Sequence, residues 1–235
     1  MALTIGQVID GLELKHSIAQ KKAKDEVRYR IAEIGIVPAV RVSCEEDALF
    51  VAEALAEAGI PIFEISMTFP GAIHALTHLA RQLPSMMVGA GSIVDADMAE
   101  RCEGEGAKFV ATDGMVPEVV EFAVREGMVV LPGALTPTEI IAAWKAGADF
   151  VKVVPCDAMG GPDYIRSVKT ALPQVRLIAA GGVNQKTALG FITAGATALG
   201  VGQELIPAEA IAVRQSQRIQ ELARRFLSAV ASGRS

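Results

Sequence analysis

Phe150-Val151-Lys152-Val153-Val154-Pro155 is a short, almost wholly apolar run with one lysine inside it and a proline at its end. Its brevity, its β-branched residues and its bounds at Gly147 and Pro155 predict a buried strand rather than a helix. Seven runs of the same kind accompany it: residues 36–42 (IVPAVRV), 60–66 (IPIFEIS), 85–91 (SMMVGAG), 107–112 (AKFVAT), 128–133 (MVVLPG), 174–182 (QVRLIAAGG) and 196–202 (ATALGVG). They recur roughly every 20–26 residues, the period of a compact strand–helix unit. Between them lie amphipathic segments, Glu45–Ala58, Asp95–Glu105, Pro117–Glu126 and Thr138–Ala146, and glycines stand where helices end ahead of the next strand.

Continuous apolar strands alternating with helices specify a parallel sheet covered on its faces. Two features favour closure over an open doubly wound sheet. The repeats are nearly uniform, and no Gly-x-Gly-x-x-Gly follows the first strand, where a dinucleotide fold places it. The expectation is an α/β, (β/α)8 TIM barrel in a single domain. Residues 1–35 read as an N-terminal helical extension, 36–207 as the barrel, and 208–235 as a C-terminal helix completing it. Within the extension, Lys22–Ile34 has helical spacing, with Val27, Ile31 and Ile34 on one side. A short helix over one end of the barrel is expected for Met1–Gln20. Ala208–Val230 reads as one long amphipathic helix, with Ser232–Ser235 fraying after it.

Composition narrows the function classes. The 235 residues are 51% hydrophobic and carry a net charge of −5. Mean hydropathy is +0.37. This composition fits a chain with a sizeable core and no electrostatic footprint for nucleic acid. No apolar run has the length of a membrane span, and the first residues lack a signal-peptide layout. Cys44, Cys102 and Cys156 are an odd number without metal-ligand spacing, which suits a reducing cytoplasm.

The active site of such a barrel lies at the C-terminal ends of its strands. The polar residues there are Arg41, Glu64 with Ser66 and Thr68 beyond it, Ser92, Thr112, Asp113 and Lys152. Charged side chains within apolar strands are costly unless paired, so Arg41, Glu64 and Lys152 carry the most information. A buried lysine lowers its desolvation cost by becoming neutral, the form that attacks a carbonyl and gives a Schiff base. A nearby carboxylate can then move protons, and an arginine can hold a substrate carboxylate. The alternative is a buried ion network that stabilises the barrel. A second signal is the set of glycine turns, Gly160-Gly161, Gly181-Gly182 and Gly200 to Gly202, where backbone amides approach a phosphate or carboxylate closely. His74 and His78 are one helical turn apart, opposite Ile73, Leu76 and Leu83. With no third ligand evident they read as an exposed face, and no metal site is assigned. Cys156 lacks a histidine to activate it and reads as packing. Lys108, Lys145, Lys169 and Lys186 read as solvated.

In this order the motifs VPAVRV (37–42), FEISMTFP (63–70), VGAGSI (88–93), LPGALTPTE (131–139), VKVVP (151–155), GGPDYI (160–165), AGGV (180–183) and GVGQEL (200–205) resemble the 2-keto-3-deoxy-6-phosphogluconate / 4-hydroxy-2-oxoglutarate aldolases. The resemblance covers about Ile31 to Pro207. It implies a class I, Schiff-base lyase that splits a 2-keto-4-hydroxy acid into pyruvate and an aldehyde. Lys152 then forms the imine, Glu64 transfers protons, and Arg41 and Ser92 fall where the family handles the pyruvate carboxylate. Some members carry an arginine at the position of Thr68. The family is typically homotrimeric, and its protonated imine serves as the electron sink, so no cofactor is expected.

The chain also departs from the family. Asp113 stands where proline is frequent, at the pocket rim. Val154 replaces a common phenylalanine, Ala180 a frequent threonine, and Gln203 a serine that contacts phosphate. The pyruvate side is therefore expected to be intact, while the aldehyde or phosphate side (Gly161, Gly181, Gly182, Gly202, Gln203) is altered. Two rivals accompany the aldolase. One is a phosphate-binding barrel that acts on a sugar phosphate without a Schiff base. The other is a non-catalytic ligand-binding barrel.

Overall fold

The computed structural model describes the backbone of residues 5–235 and the side chains of residues 18–235. Among these residues the strands are β1 (Ile36–Val40), β2 (Ile62–Ser66), β3 (Met87–Gly91), β4 (Phe109–Ala111), β5 (Val129–Leu131), β6 (Gly133–Ala134), β7 (Val151–Val153), β8 (Leu177–Ala180) and β9 (Ala198–Val201). Their pairings are all parallel, in the order β5-β4-β3-β2-β1-β9-β8-β7-β6. Only Pro132 separates β5 from β6, so the two ends of that order are one stretch of chain and the sheet closes into a barrel. The expected fifth strand is split because Pro132 has no N–H to donate to a ladder. Its carbonyl still accepts from the Lys152 amide at 2.9 Å.

The strands alternate with helices α2 (Glu45–Glu57), α3 (Ala72–Gln82), α4 (Ala96–Gly104), α5 (Pro117–Arg125), α6 (Pro137–Lys145), α7 (Pro162–Ala171) and α8 (Ala188–Thr193). Local chemistry fixes where several begin. Asp95 accepts from the Met98 amide at 2.7 Å and starts α4. Thr136 and Glu139 form a reciprocal capping box at α6, with Pro137 in the first turn, where a missing N–H costs nothing. Gly147 turns the chain from α6 toward β7 at a φ of 101°, a conformation that a Cβ would strain.

Two helical expectations change. The N-terminal segment forms one 30-residue helix, α1 (Ile5–Ile34), rather than a short helix followed by another. The part of that expectation on residues 1–4 lies outside the described residues. Val27 and Ile31 are buried, and α1 touches β1, β5 and β9. Asp149, just before β7, fixes it there. Its carboxylate pairs with Lys24 at 3.1 Å and Arg28 at 3.6 Å and accepts from the Val130 amide at 3.2 Å. The helix therefore crosses the end of the barrel where the strands begin.

At the other terminus the single long helix is two, α9 (Ala208–Ala212) and α10 (Ser216–Arg234). The break falls at Arg214, which adopts a left-handed φ of 51°. Its guanidinium pairs with Asp47 at 2.7 Å and Glu46 at 3.0 Å and lies over the Phe50 ring, so contacts with α2 hold the bend. The helix continues through Arg234. Arg234 donates to the carbonyls of Ala32, Glu33 and Thr197 and ties α10 to the end of α1.

The barrel interior is graded along its axis. Lower down, Gly89 leaves the space that the Phe109 ring fills. Toward the C-terminal ends, Ala39, Ala180 and Gly200 leave a cavity of about 460 Å³ open among the strand tips. No helix among the described residues is long and apolar enough to cross a membrane.

Candidate active site

β7 points Lys152 into that cavity, and β2 points Glu64 toward it from across the barrel. Both are buried, Lys152 at 5% exposure and Glu64 at 7%. Their burial follows from their strands: Val151 and Val153 face the helical layer, so the residue between them faces inward. Lys152 Nζ stands 3.6 Å from Glu64 Oε1 and donates to Asp113 Oδ1 at 3.2 Å. The lysine thus has carboxylates on two sides rather than an apolar wall, and a proton leaving Nζ has two acceptors within reach.

Asp113 is the residue whose importance the sequence understates. It lies in the turn after β4, beyond Thr112. The Thr112 hydroxyl donates to the Gly114 carbonyl at 2.5 Å and accepts from the Gly133 amide at 3.2 Å. A side chain at Gly133 would run into the Asp113 backbone, so β6 holds this turn closely. Oδ2 of Asp113 accepts from Ser92 Oγ at 2.9 Å, and Oδ1 also lies 3.9 Å from Arg41. Burial pulls the Asp113 carboxyl upward. The Lys152 charge, the Ser92 hydrogen bond and the Arg41 charge outweigh it and hold the group below the usual carboxylate range. A lone aspartate after a strand gives no sequence signal of pairing with a lysine 39 residues on; only barrel closure brings them together.

The other sequence candidates divide. Arg41 lines the cavity but lies beyond the end of β1, with its side chain 60% exposed, so it is a rim residue rather than one embedded in a strand. Ser92 and Thr68 are not among the residues that line the cavity. Ser66 Oγ bonds to both hydroxyls at 3.0 Å, giving a chain from Thr68 through Ser66 and Ser92 to Asp113. Val154, Gly181, Gly182, Gly202 and Gln203 line the cavity, together with Glu204, which the sequence did not single out. Gly161 stays outside it. The side chain of Asp157 stands where a Cβ at Gly182 would go.

The surroundings of three further candidates are defined by geometry. Cys156 is fully buried and burial pushes its thiol up to about 12, which suits packing and not nucleophilic attack. His74 and His78 do find a shared partner, Glu45 at the start of α2, which bonds to Nδ1 of both. Among the described residues no group of three or more His, Cys, Asp or Glu is arranged to hold a metal. Lys169 is not simply solvated. It donates to the carbonyls of Pro173 and Val175 at 2.9 and 2.6 Å, and burial lowers its pKa.

With this geometry in place, comparison with known proteins is direct. A family model described as KDPG and KHG aldolase matches residues 27–222. The chain is 31% identical over 169 residues to the 2-dehydro-3-deoxy-phosphogluconate aldolase of Pseudomonas aeruginosa, covering 72% of this chain and 76% of that protein. It is 28% identical over 197 residues to the 2-dehydro-3-deoxy-6-phosphogalactonate aldolase of Escherichia coli K12, covering 83% and 96%. Among solved structures it is similar to the KDPG aldolase of Legionella pneumophila with pyruvate captured at low pH as a covalent carbinolamine intermediate. There the TM-score is 0.79 at 27% identity, covering 84% of this chain and 96% of that one.

Proposed function

The chain belongs to the KDPG and KHG aldolase family and is a carbon–carbon lyase, and from that premise we propose that it cleaves a 2-keto-4-hydroxy acid to pyruvate and an aldehyde through a Schiff base on Lys152. The observation that carries the mechanism is the placement of Lys152, buried in the middle of β7 with Glu64 3.6 Å away on the opposite wall. Lys152 Nζ gives up a proton and attacks C2 of the keto acid. Carbinolamine formation moves that proton toward the C2 oxygen, and water leaves as the imine forms. The protonated imine then draws electrons from the C3–C4 bond while a carboxylate takes the C4 hydroxyl proton. The aldehyde departs, and the enamine is protonated at C3 before hydrolysis releases pyruvate.

Glu64 is the proton-transfer group in this scheme. Its position on β2 is conditioned by Gly91 on β3, where a Cβ would come within 3.1 Å of Glu64 Cδ. Arg41 supplies a guanidinium at the rim for the substrate carboxylate, and the Ser66–Ser92 relay keeps Asp113 between the two cations. We extend the same reading to a homotrimer acting in the cytoplasm. Free cysteines at 44, 102 and 156 are consistent with a reducing compartment. Light scattering on the purified chain tests the trimer, which requires three times the chain's molar mass; a monomer contradicts it.

Exchange of pyruvate methyl protons into deuterated water, followed by NMR, tests the chemistry. Lys152→Ala is expected to abolish exchange. Glu64→Gln is expected to slow it by about 10²–10⁴-fold, the usual effect of losing a positioned acid–base group. Wild-type exchange in Lys152→Ala excludes the mechanism.

A further inference from the structure

Among the described residues two carboxylates, Asp113 and Glu64, lie within ion-pair distance of Lys152 Nζ. The chemistry proposed above leaves room for only one of them on the nitrogen. An ammonium has three N–H groups and can serve both. A protonated imine has one, because its nitrogen is bonded to Cε and doubly to C2. That single N–H lies in the plane of the C=N bond and takes one acceptor.

The geometry distinguishes the two candidates. Asp113 Oδ1 already accepts from Nζ at 3.2 Å, whereas Glu64 Oε1, at 3.6 Å, is a neighbour without a hydrogen bond. Asp113 is also held from several sides. Its Oδ2 accepts from Ser92 Oγ at 2.9 Å, Arg41 lies 3.9 Å from Oδ1, and its backbone abuts Gly133. Ser92 adopts a left-handed φ of 57°, strained for a residue with a Cβ, and in that conformation its Oγ links Ser66 to Asp113. The charge state agrees. Burial raises the Asp113 carboxyl, but the Lys152 charge, the Ser92 hydrogen bond and the Arg41 charge together hold it below the usual carboxylate range. A group that shuttles protons works best with a pKa near the working pH. Asp113 is too weak a base for that task and stays ionised, as a fixed counter-charge must.

We propose that Asp113 is the counter-ion of the protonated imine on Lys152, taking its one N–H, and that Glu64 is thereby left free to move protons at the carbon centres. This rests on the aldolase reading above and adds a residue to it. No atom or electron passes to Asp113; its charge favours the cationic imine, the form that draws electrons from the C3–C4 bond, over the neutral one. Asp113 stands where the family frequently has proline, so family membership does not imply this arrangement.

The test uses cyanoborohydride, which reduces a protonated imine in preference to a neutral one. With the full chain saturated in pyruvate, the rate of adduct formation on Lys152, followed by mass spectrometry across pH, falls along an alkaline limb as the imine loses its proton. Asp113→Asn keeps an acceptor oxygen and removes the charge. Its limb is expected about one pH unit or more below that of the wild type. Ser92→Ala, which releases Oδ2, is expected to move the limb the same way by a smaller step. Glu64→Gln is expected to move it less than Asp113→Asn does. A merely structural role for Asp113 would lower the yield of adduct without moving the limb. An Asp113→Asn limb that coincides with the wild type's, or a larger shift in Glu64→Gln, overturns the inference and leaves the aldolase reading standing. Ser92→Ala decides the matter should Asp113→Asn fail to fold, since an unmoved limb there also overturns it. No adduct on wild-type Lys152 overturns both levels.

Discussion

Around Lys152 a difference of a few tenths of an ångström separates a hydrogen bond from a looser ion pair. Asp113 makes the first at 3.2 Å and Glu64 the second at 3.6 Å. Because its neighbours hold Asp113 below the usual carboxylate range, it stays ionised through the neutral range and acts as a fixed charge between Lys152 and Arg41. Its folded pKa lies below its unfolded one. The stability it contributes is therefore complete above the unfolded value of about 3.9 and is lost as pH falls through the lower folded value. Asp113→Asn should flatten the pH dependence of stability below about pH 4, measured by urea unfolding across that range. A variant curve that parallels the wild type would mean the carboxylate gains nothing from its partners. Gly91→Ala is a second test at this scale. Its Cβ must displace Glu64 slightly, and we expect kcat to fall by about tenfold with an unchanged circular dichroism spectrum.

Among the elements, α1 and β7 are joined by Asp149, a carboxylate only 5% exposed that serves Lys24, Arg28 and the Val130 amide together. Asp149→Ala leaves that amide without its acceptor and Lys24 without its partner, while Arg28 keeps Asp25 at 3.1 Å. A loss of about 2–3 kcal/mol in chemical denaturation is expected. Loss below 0.5 kcal/mol would show that the apolar contacts of Val27 and Ile31 hold the helix by themselves. Elements of this kind mark the boundary of what the sequence discloses. Glycine punctuation and β-branched runs locate the strands, since both signals are local. The break at Arg214 and the anchoring of Arg234 depend on α2 and on α1, which no local window contains.

For the whole molecule, the same distinction explains the site. Lys152, Glu64 and Arg41 are legible because a charge inside or at the end of an apolar strand is conspicuous by itself. Asp113 and Glu204 follow strands in polar turns, where acids are ordinary, and only the closed barrel shows that they face the lysine and the cavity. Gly161 reads as part of an anion cradle, but it does not line the cavity. The closed barrel thus brings together Lys152 from β7, Glu64 from β2 and Asp113 from the turn after β4, and the proposed function depends on the first of these. Treating the protein with pyruvate and borohydride, then mapping the adduct by peptide mass spectrometry, tests that most directly. A reduced pyruvate adduct confined to Lys152, and absent from Lys152→Ala, is the predicted result; an unmodified Lys152 in the folded, pyruvate-saturated protein would contradict it.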